Sequence, residues 1–322
     1  MDAALPLSLS TRLESLSEGR SGRALAEKAH AISARYRAGA PSSRVIRDDE
    51  DALAYALTRM PATYAATRAA LTALAARAPD FRPRTLTDAG CGPGTASWAA
   101  LASFDGLAAL NLIDGDRFLL DLAGRLLTPE PVESEFRLAE LSRADLPNAD
   151  LVVTAYVLTE MSEGEAQVLA AKLWAATDGA LVLVEPGTPR GWAGLMAIRS
   201  MLINMNAVIA APCPHMAPCP IVPPDWCHFA QRLPRSRAHR LGKAADAPFE
   251  DEKFAYLAAV RPGVGLGPTA PRILAPPQQD KAAVSLKLCE PSGALELRRI
   301  ARRDKTAFRA VRRAGWGDRI TD

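Results

Sequence analysis

The sequence predicts an α/β fold built on a doubly wound, mostly parallel sheet that begins near residue 85 and continues to about residue 190. Two near-continuous apolar runs, 150–158 and 179–187, are typical of central parallel strands that are buried on both faces. A glycine-rich turn at 88–95 joins an earlier apolar strand to a helix, and strand and helix patterns alternate through this region. The flanking regions do not share this alternation, so we expect them to form additions to the sheet. After the alternating region we expect a helix over about 190–209, a basic loop or short helix over 232–243 and a late strand of the sheet over 250–260. The short alternating stretches 283–289 and 294–301 predict an antiparallel hairpin.

Residues 1–80 have the pattern of helices and predict an N-terminal helical cap. Ranges 22–39 and 51–78 are rich in Ala, Leu and Arg and lack glycine in their interiors. Five larger apolar residues recur at helical spacing in the second range, and Pro61 is expected to kink or restart that helix. These five are Leu53, Leu57, Met60, Tyr64 and Leu71.

The glycine-rich turn has the spacing Asp88-x-Gly90-x-Gly92-x-Gly94, which differs from the Gly-x-Gly-x-x-Gly of dinucleotide-binding folds. Glycines carry no Cβ and therefore let backbone N–H groups approach a ligand closely. The turn resembles motif I of class I S-adenosylmethionine-dependent methyltransferases, where the loop wraps the amino-acid end of the cofactor. The alternative is a tight strand–helix turn that binds nothing.

Acidic and polar residues near the ends of the following strands complete the predicted cofactor site. The second predicted strand ends at Asp114, and in the methyltransferase fold an acidic residue at this place commonly accepts hydrogen bonds from the ribose hydroxyls. Asp116 is the alternative, and either residue is also consistent with an ordinary turn. Glu140 follows the third predicted strand and is assigned to the adenine side, and Thr154 of the 150–158 run is the last member.

Four of the five cysteines lie beyond residue 210 and predict a metal centre. Cys213, Cys219 and Cys227 lie in the window 211–229, where six prolines prevent regular helix, and Cys289 follows on a later predicted strand. Clustered cysteines in a reducing compartment bind metal more often than they form disulfides. Buried apolar cysteines without a ligand are the alternative.

The spacing of these cysteines leaves the metal open. Four thiolates fit either a cubane iron–sulfur cluster or a tetrahedral zinc ion, and His215 and His228 are further possible zinc ligands. The pattern Cys-x5-Cys-x7-Cys with a distant fourth cysteine matches neither the ferredoxin runs nor a zinc ribbon.

Charge is divided unevenly along the chain and predicts a polyanion partner. Residues 1–190 contain 19 basic and 25 acidic residues, a charge of −6, whereas 191–322 contain 20 and 11, a charge of +9. A basic C-terminal third with interleaved Phe308 and Trp316 suits phosphate contacts and base stacking in RNA. A solvated arginine-rich face or an exposed edge strand is the alternative. The predicted RNA-binding residues are Arg232, Arg235, Arg237, Arg240, Lys243, Arg302, Arg303, Arg312 and Arg313.

The N-terminal sequence and the hydropathy predict a cytoplasmic protein that does not span a membrane. Residues 1–6 contain no basic segment, Glu14 and Glu18 follow soon after, and neither a secretory signal nor an arginine-rich transit peptide fits. No apolar run reaches the roughly 18–20 residues that span a bilayer. We expect a monomer.

The combined motifs resemble the mitochondrial small-ribosomal-subunit assembly factors of the methyltransferase-like-seventeen type and their bacterial counterparts. The resemblance runs from about Tyr55 to Asp318. Its marks are Arg59-x-Pro61-x-x-Tyr64, the motif that ends in Thr95-x-x-Trp98, Pro212-Cys213-Pro214-His215, Cys219-Pro220, Trp226-Cys227-His228-Phe229, Glu250-Asp251-Glu252-Lys253-Phe254 and Trp316-Gly317-Asp318.

The resemblance implies a class I methyltransferase domain that holds S-adenosylmethionine and binds small-subunit ribosomal RNA of the 16S type. It also implies a [4Fe-4S] cluster on Cys213, Cys219, Cys227 and Cys289, and so favours iron–sulfur over zinc. On this basis we divide the chain into a helical cap (1–80), a methyltransferase-like domain (81–261) with a cysteine-rich insertion (211–243), and a basic β extension (262–322).

The expected function is support of assembly or translation at the small ribosomal subunit, with ribosomal RNA methylation as an open activity. The sequence contains no Asn-Pro-Pro-Tyr motif after the 150–158 strand and no evident general base. Methyl transfer depends mainly on proximity and alignment, so this absence does not decide the question. The alternatives are a small-molecule or protein methyltransferase with a structural zinc, and a scaffold without catalytic activity.

Overall fold

The main sheet contains the strands that the alternating pattern predicts, together with two that it does not. The computed structural model describes residues 3–37, 45–243 and 246–320. Within them the eight strands of this sheet are β1 (Thr85–Ala89), β2 (Ala109–Asp114), β3 (Glu133–Leu138), β4 (Ala149–Ala155), β5 (Thr177–Pro186), β6 (Val208–Ala211), β7 (Phe229–Pro234) and β8 (Phe249–Val260).

The strand order is β3-β2-β1-β4-β5-β8-β6, with β7 also paired to β8. Strands β1 to β5 are parallel to one another, and β8 runs antiparallel to β5. Because β1 lies between β2 and β4, the chain changes direction across the sheet there and leaves a crevice at the carboxyl ends of these strands. The fold is therefore the doubly wound, Rossmann-like sheet of class I methyltransferases, as predicted.

Helices cover both faces of the sheet. Helix α3 (Asp49–Arg77) packs on α4 (Thr95–Leu101), α5 (Arg117–Leu127) and strand β8 on one face. Helices α6 (Glu163–Ala175) and α7 (Pro189–Asn204) cover the other. In β5, Ala180, Val182 and Val184 face the first layer and Leu181 and Leu183 the second, which explains why the run is apolar throughout.

The N-terminal cap is helical, as predicted, in its described part. Helices α1 (Leu7–Ser17) and α2 (Gly22–Arg37) precede α3, which continues through Pro61 without interruption. Asp48 is the N-cap of α3: its side chain accepts a hydrogen bond from the Asp51 backbone N–H at 2.7 Å. Residues 38 and 39, at the end of the first predicted helix, lie outside the described residues.

A second, smaller sheet follows β8. Strands β9 (Arg272–Ile273), β10 (Gln278–Gln279), β11 (Ala283–Cys289) and β12 (Leu295–Ala301) form it, and β11 and β12 are the predicted antiparallel hairpin. Helix α9 (Lys305–Val311) packs against this sheet through Val311. The tail is thus an edge strand at its start, in β12, and helical over Lys305–Val311.

Strands β6 and β7 are the elements that the pattern did not reveal. The helix predicted over 190–209 ends at Asn204, and Asn206 adopts a positive φ of 63° before β6 begins. A short apolar run such as 207–211 suits helix and strand equally. Of the predicted basic loop or helix, β7 takes the first part and α8 (Arg237–Gly242) the second. No helix in the described residues has the length and apolarity needed to cross a bilayer.

Candidate functional site

The glycine-rich turn leaves β1 at the crevice in the sheet and leads into α4. Gly90, Gly92 and Gly94 all have positive φ, at 75°, 52° and 78°. A Cβ on Gly90 would lie 2.5 Å from Val157 Cγ2, and one on Gly94 would lie 2.8 Å from Leu127 Cδ1. A Cβ on Gly92 would meet no atom within 4 Å. Two of the glycines are therefore required by packing as well as by backbone conformation.

A cavity of about 1250 Å³ lies beside this turn at the carboxyl ends of β1, β2 and β4. Of the predicted cofactor-binding residues, Asp88, Gly90, Asp114 and Glu140 line this cavity, whereas Gly92 and Gly94 do not contribute to the lining. Thr154 does not line it either: its side chain is fully buried within β4, and the next three residues, 155–157, face the cavity instead. Tyr55, Met60 and Thr63 of α3 form the opposite wall.

Asp114 and Asp116 have different roles. Asp114 accepts hydrogen bonds from the N–H groups of Gly92 at 2.7 Å and of Asp116 at 2.8 Å, and so fixes the turn. Burial, together with Asp116 and Glu140, raises the pKa of Asp114, while its hydrogen bonds oppose the rise. Asp116 is the N-cap of α5 and accepts from the N–H groups of Phe118 and Leu119. Asp114 therefore holds the glycine-rich turn and Asp116 holds the start of α5, and both residues line the cavity.

Asp88 presents an unpartnered carboxylate oxygen to the cavity wall. Its Oδ2 accepts hydrogen bonds from Ser97 N at 2.9 Å and Ser97 Oγ at 2.7 Å, whereas the buried Oδ1 has no partner. Burial raises the pKa of Asp88 to about 7, against the opposing effect of Ser97. A cationic amino group is a donor that would satisfy Oδ1, so the residues present fit the amino-acid end of S-adenosylmethionine.

Tyr156 is a residue of this cavity that the sequence did not single out. It follows β4 directly, has a positive φ of 62°, and donates a hydrogen bond from its hydroxyl to Glu252 Oε1 at 2.7 Å. Burial, with Glu252, raises the pKa of the Tyr156 hydroxyl well above its ordinary value. A bulky residue with positive φ is strained and is found most often at functional sites. Nothing in the local sequence signals this conformation.

The four late cysteines meet at a second cavity, of about 440 Å³, whose walls are almost entirely apolar. Cys213, Cys219 and Cys227 come from the loop between β6 and β7, and Cys289 comes from the end of β11. Helix α7 closes the cavity with Trp192, Leu195 and Met196. All five cysteines of the chain are free thiols, and Cys91 lies apart, in the glycine-rich turn.

The topology explains how the loop reaches this position. Strands β6 and β7 both pair with the same edge of β8, opposite residues 258–260 and 249–254 respectively, so they form one interrupted strand. The loop 212–228 leaves and rejoins the sheet at this interruption. Trp226 fixes its far side by donating from Nε1 to the Gly187 carbonyl at 2.9 Å, and His228 stacks on Trp226 with ring centroids 5.1 Å apart.

The pKa values of the thiols in this cavity are shifted by burial and by one another. Burial raises the pKa of Cys227 well above its ordinary value, and Cys213, Cys219 and Cys289 raise it further. Burial, together with the neighbouring Cys213 and Cys219, raises the pKa of Cys289 to about 12. Such thiols stay protonated at neutral pH unless a metal or another cation compensates the thiolate charge.

Neither predicted histidine lines the cysteine cavity. His215 Nε2 lies 3.3 Å from Cys289 Sγ at its margin, and His228 is held between Trp226 and Trp316. In the described part of the chain, no group of three or more His, Cys, Asp or Glu side chains is arranged to hold a metal ion. The donor set of four thiols is nevertheless the one that iron–sulfur clusters use.

The predicted RNA-binding residues divide into paired and unpaired groups. Arg232 forms two 2.8 Å contacts with Asp251, and Glu250 accepts from both Arg235 and Lys243, at 3.1 and 2.5 Å. These three cations are therefore engaged with carboxylates of the neighbouring strand β8. The other six are exposed and have no ion pair among the described residues: Arg237, Arg240, Arg302, Arg303, Arg312 and Arg313.

The family described as mitochondrial small ribosomal subunit Rsm22 matches residues 49–321. The human mitochondrial ribosome assembly protein METTL17 is 29% identical over 285 residues, which cover 83% of this chain and 61% of that protein. The fission yeast (Schizosaccharomyces pombe) mitochondrial Rsm22-cox11 tandem protein 2 is 27% identical over 330 residues, with 86% and 44% covered. This chain thus spans between about two fifths and three fifths of these relatives.

Among solved structures, magnesium protoporphyrin IX methyltransferase from Synechocystis with bound S-adenosylmethionine aligns with a TM-score of 0.42 and 16% identity, covering 71% of this chain and 90% of that one. Human N-acetylserotonin methyltransferase aligns with a TM-score of 0.41 and 15% identity, covering 72% and 66%.

The prediction of a cytoplasmic protein is wrong, because the matching family and relatives are described as mitochondrial. That prediction was based on residues 1–18. Targeting signals are separate from the fold, so these residues were a poor basis for assigning a compartment. The family match covers the glycine-rich turn, all five cysteines and the C-terminal sheet. This chain belongs to the mitochondrial small ribosomal subunit Rsm22 family.

Proposed function

We propose that this protein is an S-adenosylmethionine-binding, iron–sulfur-containing factor that binds small-subunit ribosomal RNA and supports assembly or translation of the small ribosomal subunit. The observation that carries the proposal is the family match over residues 49–321, which includes both cavities and the basic C-terminal extension. METTL17 is named as a ribosome assembly protein, and the same work is proposed for this chain.

S-adenosylmethionine would occupy the cavity beside the glycine-rich turn. Asp88 would pair with its amino group through the free Oδ1, and Asp114 and Glu140 would accept from the ribose and adenine side. The cofactor supplies an electrophilic methyl group when bound. No histidine among the described residues lines this cavity. Tyr156, whose hydroxyl donates to Glu252, is the polar side chain of the cavity best suited to position a substrate.

Titration calorimetry tests this site directly. Wild-type protein is expected to bind S-adenosylmethionine, and Asp88→Asn is expected to weaken binding at least tenfold because it removes the negative charge opposite the amine. Ser103→Ala is a suitable control, since its hydroxyl bonds only to Ala99 and Arg68, outside the cavity. Equal affinity in wild type and Asp88→Asn would contradict the assignment.

An iron–sulfur cluster would occupy the cysteine cavity. Tetrahedral zinc with Zn–S bonds of about 2.3 Å holds its sulfurs roughly 4 Å apart. A cubane binds each thiolate through a different iron and so accepts a wider spacing. The four thiols that line one apolar cavity support a centre with four thiolate ligands, and the family resemblance favours the cubane over zinc.

Metal and sulfide analysis of anaerobically purified protein tests the cluster. We expect about four irons and four sulfides per chain, with visible absorbance that is lost in Cys219→Ser. Cys91→Ser is the matched control, because Cys91 is buried in the glycine-rich turn and does not line the cavity. Stoichiometric zinc without sulfide would refute the iron–sulfur assignment.

Ribosomal RNA is expected to bind the exposed arginines of the C-terminal extension. Arg302 and Arg303 precede α9, and Arg312 and Arg313 follow it. Binding should fall steeply with salt, and replacing Arg302 and Arg303 by Ala should reduce the slope of log K against log salt by about 1.5, the loss of two phosphate contacts. Arg23→Ala on α2 is the control for a change of surface charge. An unchanged slope in the double variant would exclude this surface.

A further inference from the structure

Two buried arginines contact the loop that carries three of the four late cysteines, and neither has a carboxylate partner among the described residues. Arg199 is 2% exposed and Arg272 is 6% exposed, and no Asp or Glu in the described residues forms an ion pair with either. Arg199 Nη2 donates to the carbonyls of His215 and Ala217 at 2.8 and 2.9 Å, and its buried Nε has no partner. Both side chains are thus buried cations held only by neutral groups.

The position of Arg272 is set by the small sheet. Arg272 in β9 is the register partner of Cys289 in β11. Its Nε donates to the Pro212 carbonyl at 3.1 Å, next to Cys213, and its Nη1 donates to Gly317 at 2.7 Å. Arg272 therefore connects the strand that carries one cysteine with the loop that carries the other three.

No carboxylate in the described part of the chain forms an ion pair with either cation. A buried charge is unfavourable unless it is paired, and carbonyl dipoles offset this only in part. The charged groups that interact with Arg272 include Arg77 and Arg319, which are positive. Arg199 is held on carbonyls of the loop that carries three of the cysteines, and Arg272 lies opposite Cys289 in the β9–β11 register, so both cations lie beside the segments that carry the thiols.

We propose that Arg199 and Arg272 are positioning residues that serve as the counter-cations of an anionic thiolate–metal centre and raise its reduction potential. The inference rests on the proposed iron–sulfur centre. A cubane with four thiolate ligands has a charge of −2 when oxidised and −3 after it gains one electron from a reductant such as dithionite. Two fixed positive charges stabilise the more negative state more strongly, because the interaction grows with the charge product.

Redox titration with dithionite, followed by visible absorbance and electron paramagnetic resonance, tests the proposal. At a fixed potential, Arg199→Met and Arg272→Met should each lower the ratio of reduced to oxidised centre about tenfold, which is about 59 mV for a one-electron couple. Arg261→Met is the matched control: Arg261 also donates to two carbonyls at 2.7 Å, but these belong to Thr177 and Trp174 and not to the cysteine loop. Its potential should equal that of wild type.

Analysis of the wild type separates the two proposals. Wild-type protein without sulfide refutes the iron–sulfur centre and this inference with it. Wild-type protein with full sulfide, and Met variants whose potentials equal that of wild type, refute the inference alone. If the Met variants purify without the centre, Arg199→Lys and Arg272→Lys decide: retention with Lys supports a need for positive charge, and loss with Lys as well refutes it in favour of packing.

Discussion

Replacing a glycine of the glycine-rich turn by alanine adds one methyl group. Comparison of two such variants should separate the steric requirement for glycine from the conformational one. In Gly90→Ala the new Cβ would lie 2.5 Å from Val157 Cγ2 at a φ of 75°. In Gly92→Ala the φ is 52°, but nothing lies within 4 Å of the new atom. The two variants therefore have a similar conformational cost and differ in the steric one.

The expected magnitudes follow from these two terms. The left-handed conformation costs an alanine about 1–2 kcal/mol relative to glycine, so Gly92→Ala should lower the free energy of unfolding by this amount. Overpacking adds about 1–3 kcal/mol, so Gly90→Ala should lose about 2–5 kcal/mol. Gly194→Ala, in the interior of α7 with open space around its Cβ position, should gain about 0.5–1 kcal/mol.

Urea unfolding of the three variants and wild type, measured by circular dichroism at one pH, checks this order. The m-values must agree if the transition midpoints are to be compared as stabilities. Equal losses in Gly90→Ala and Gly92→Ala would refute the steric argument and would mean that β4 and the residues after it yield to the extra methyl.

Three further outcomes follow from the charges and hydrogen bonds. Burial raises the pKa of Asp88 to about 7, so its ionisation should make the ligand-free protein less stable as pH rises from about 4 to 7, by about 4 kcal/mol in total. Urea unfolding measured as a function of pH should show this slope in wild type and not in Asp88→Asn. Glu250→Gln should lower the free energy of unfolding by about 2–3 kcal/mol by leaving two partly buried cations unpaired, whereas Arg232→Ala, at an exposed pair, should leave the thermal midpoint nearly unchanged; similar shifts in both would contradict this. Tyr156→Phe should cost about 1–3 kcal/mol in urea unfolding by leaving the Glu252 carboxyl without its donor, and no loss would mean that water replaces the hydroxyl.

Much of the fold could be predicted from local sequence patterns. The alternation of strands and helices, the turn after β1 and the β11–β12 hairpin each depend on residues close together in the chain, and they were predictable for that reason. Strand β6 was not, because four apolar residues after a helix have no periodicity of their own. The assignment of Arg235 and Lys243 to RNA did not foresee Glu250, which meets them only when β7 pairs with β8.

By itself, the sequence determined the chemistry available to this protein: the acidic and glycine-rich turn, the four late cysteines, and the basic C-terminal third. The tertiary structure alone decided which of these groups meet. Cys289 meets the loop thiols because β9 and β11 pair beside the cysteine loop. Arg199 and Arg272, which are 73 residues apart on a helix and a strand, contact the same loop. Short-range preferences fix individual elements, whereas such meetings depend on packing between elements distant in the chain, which no local pattern encodes.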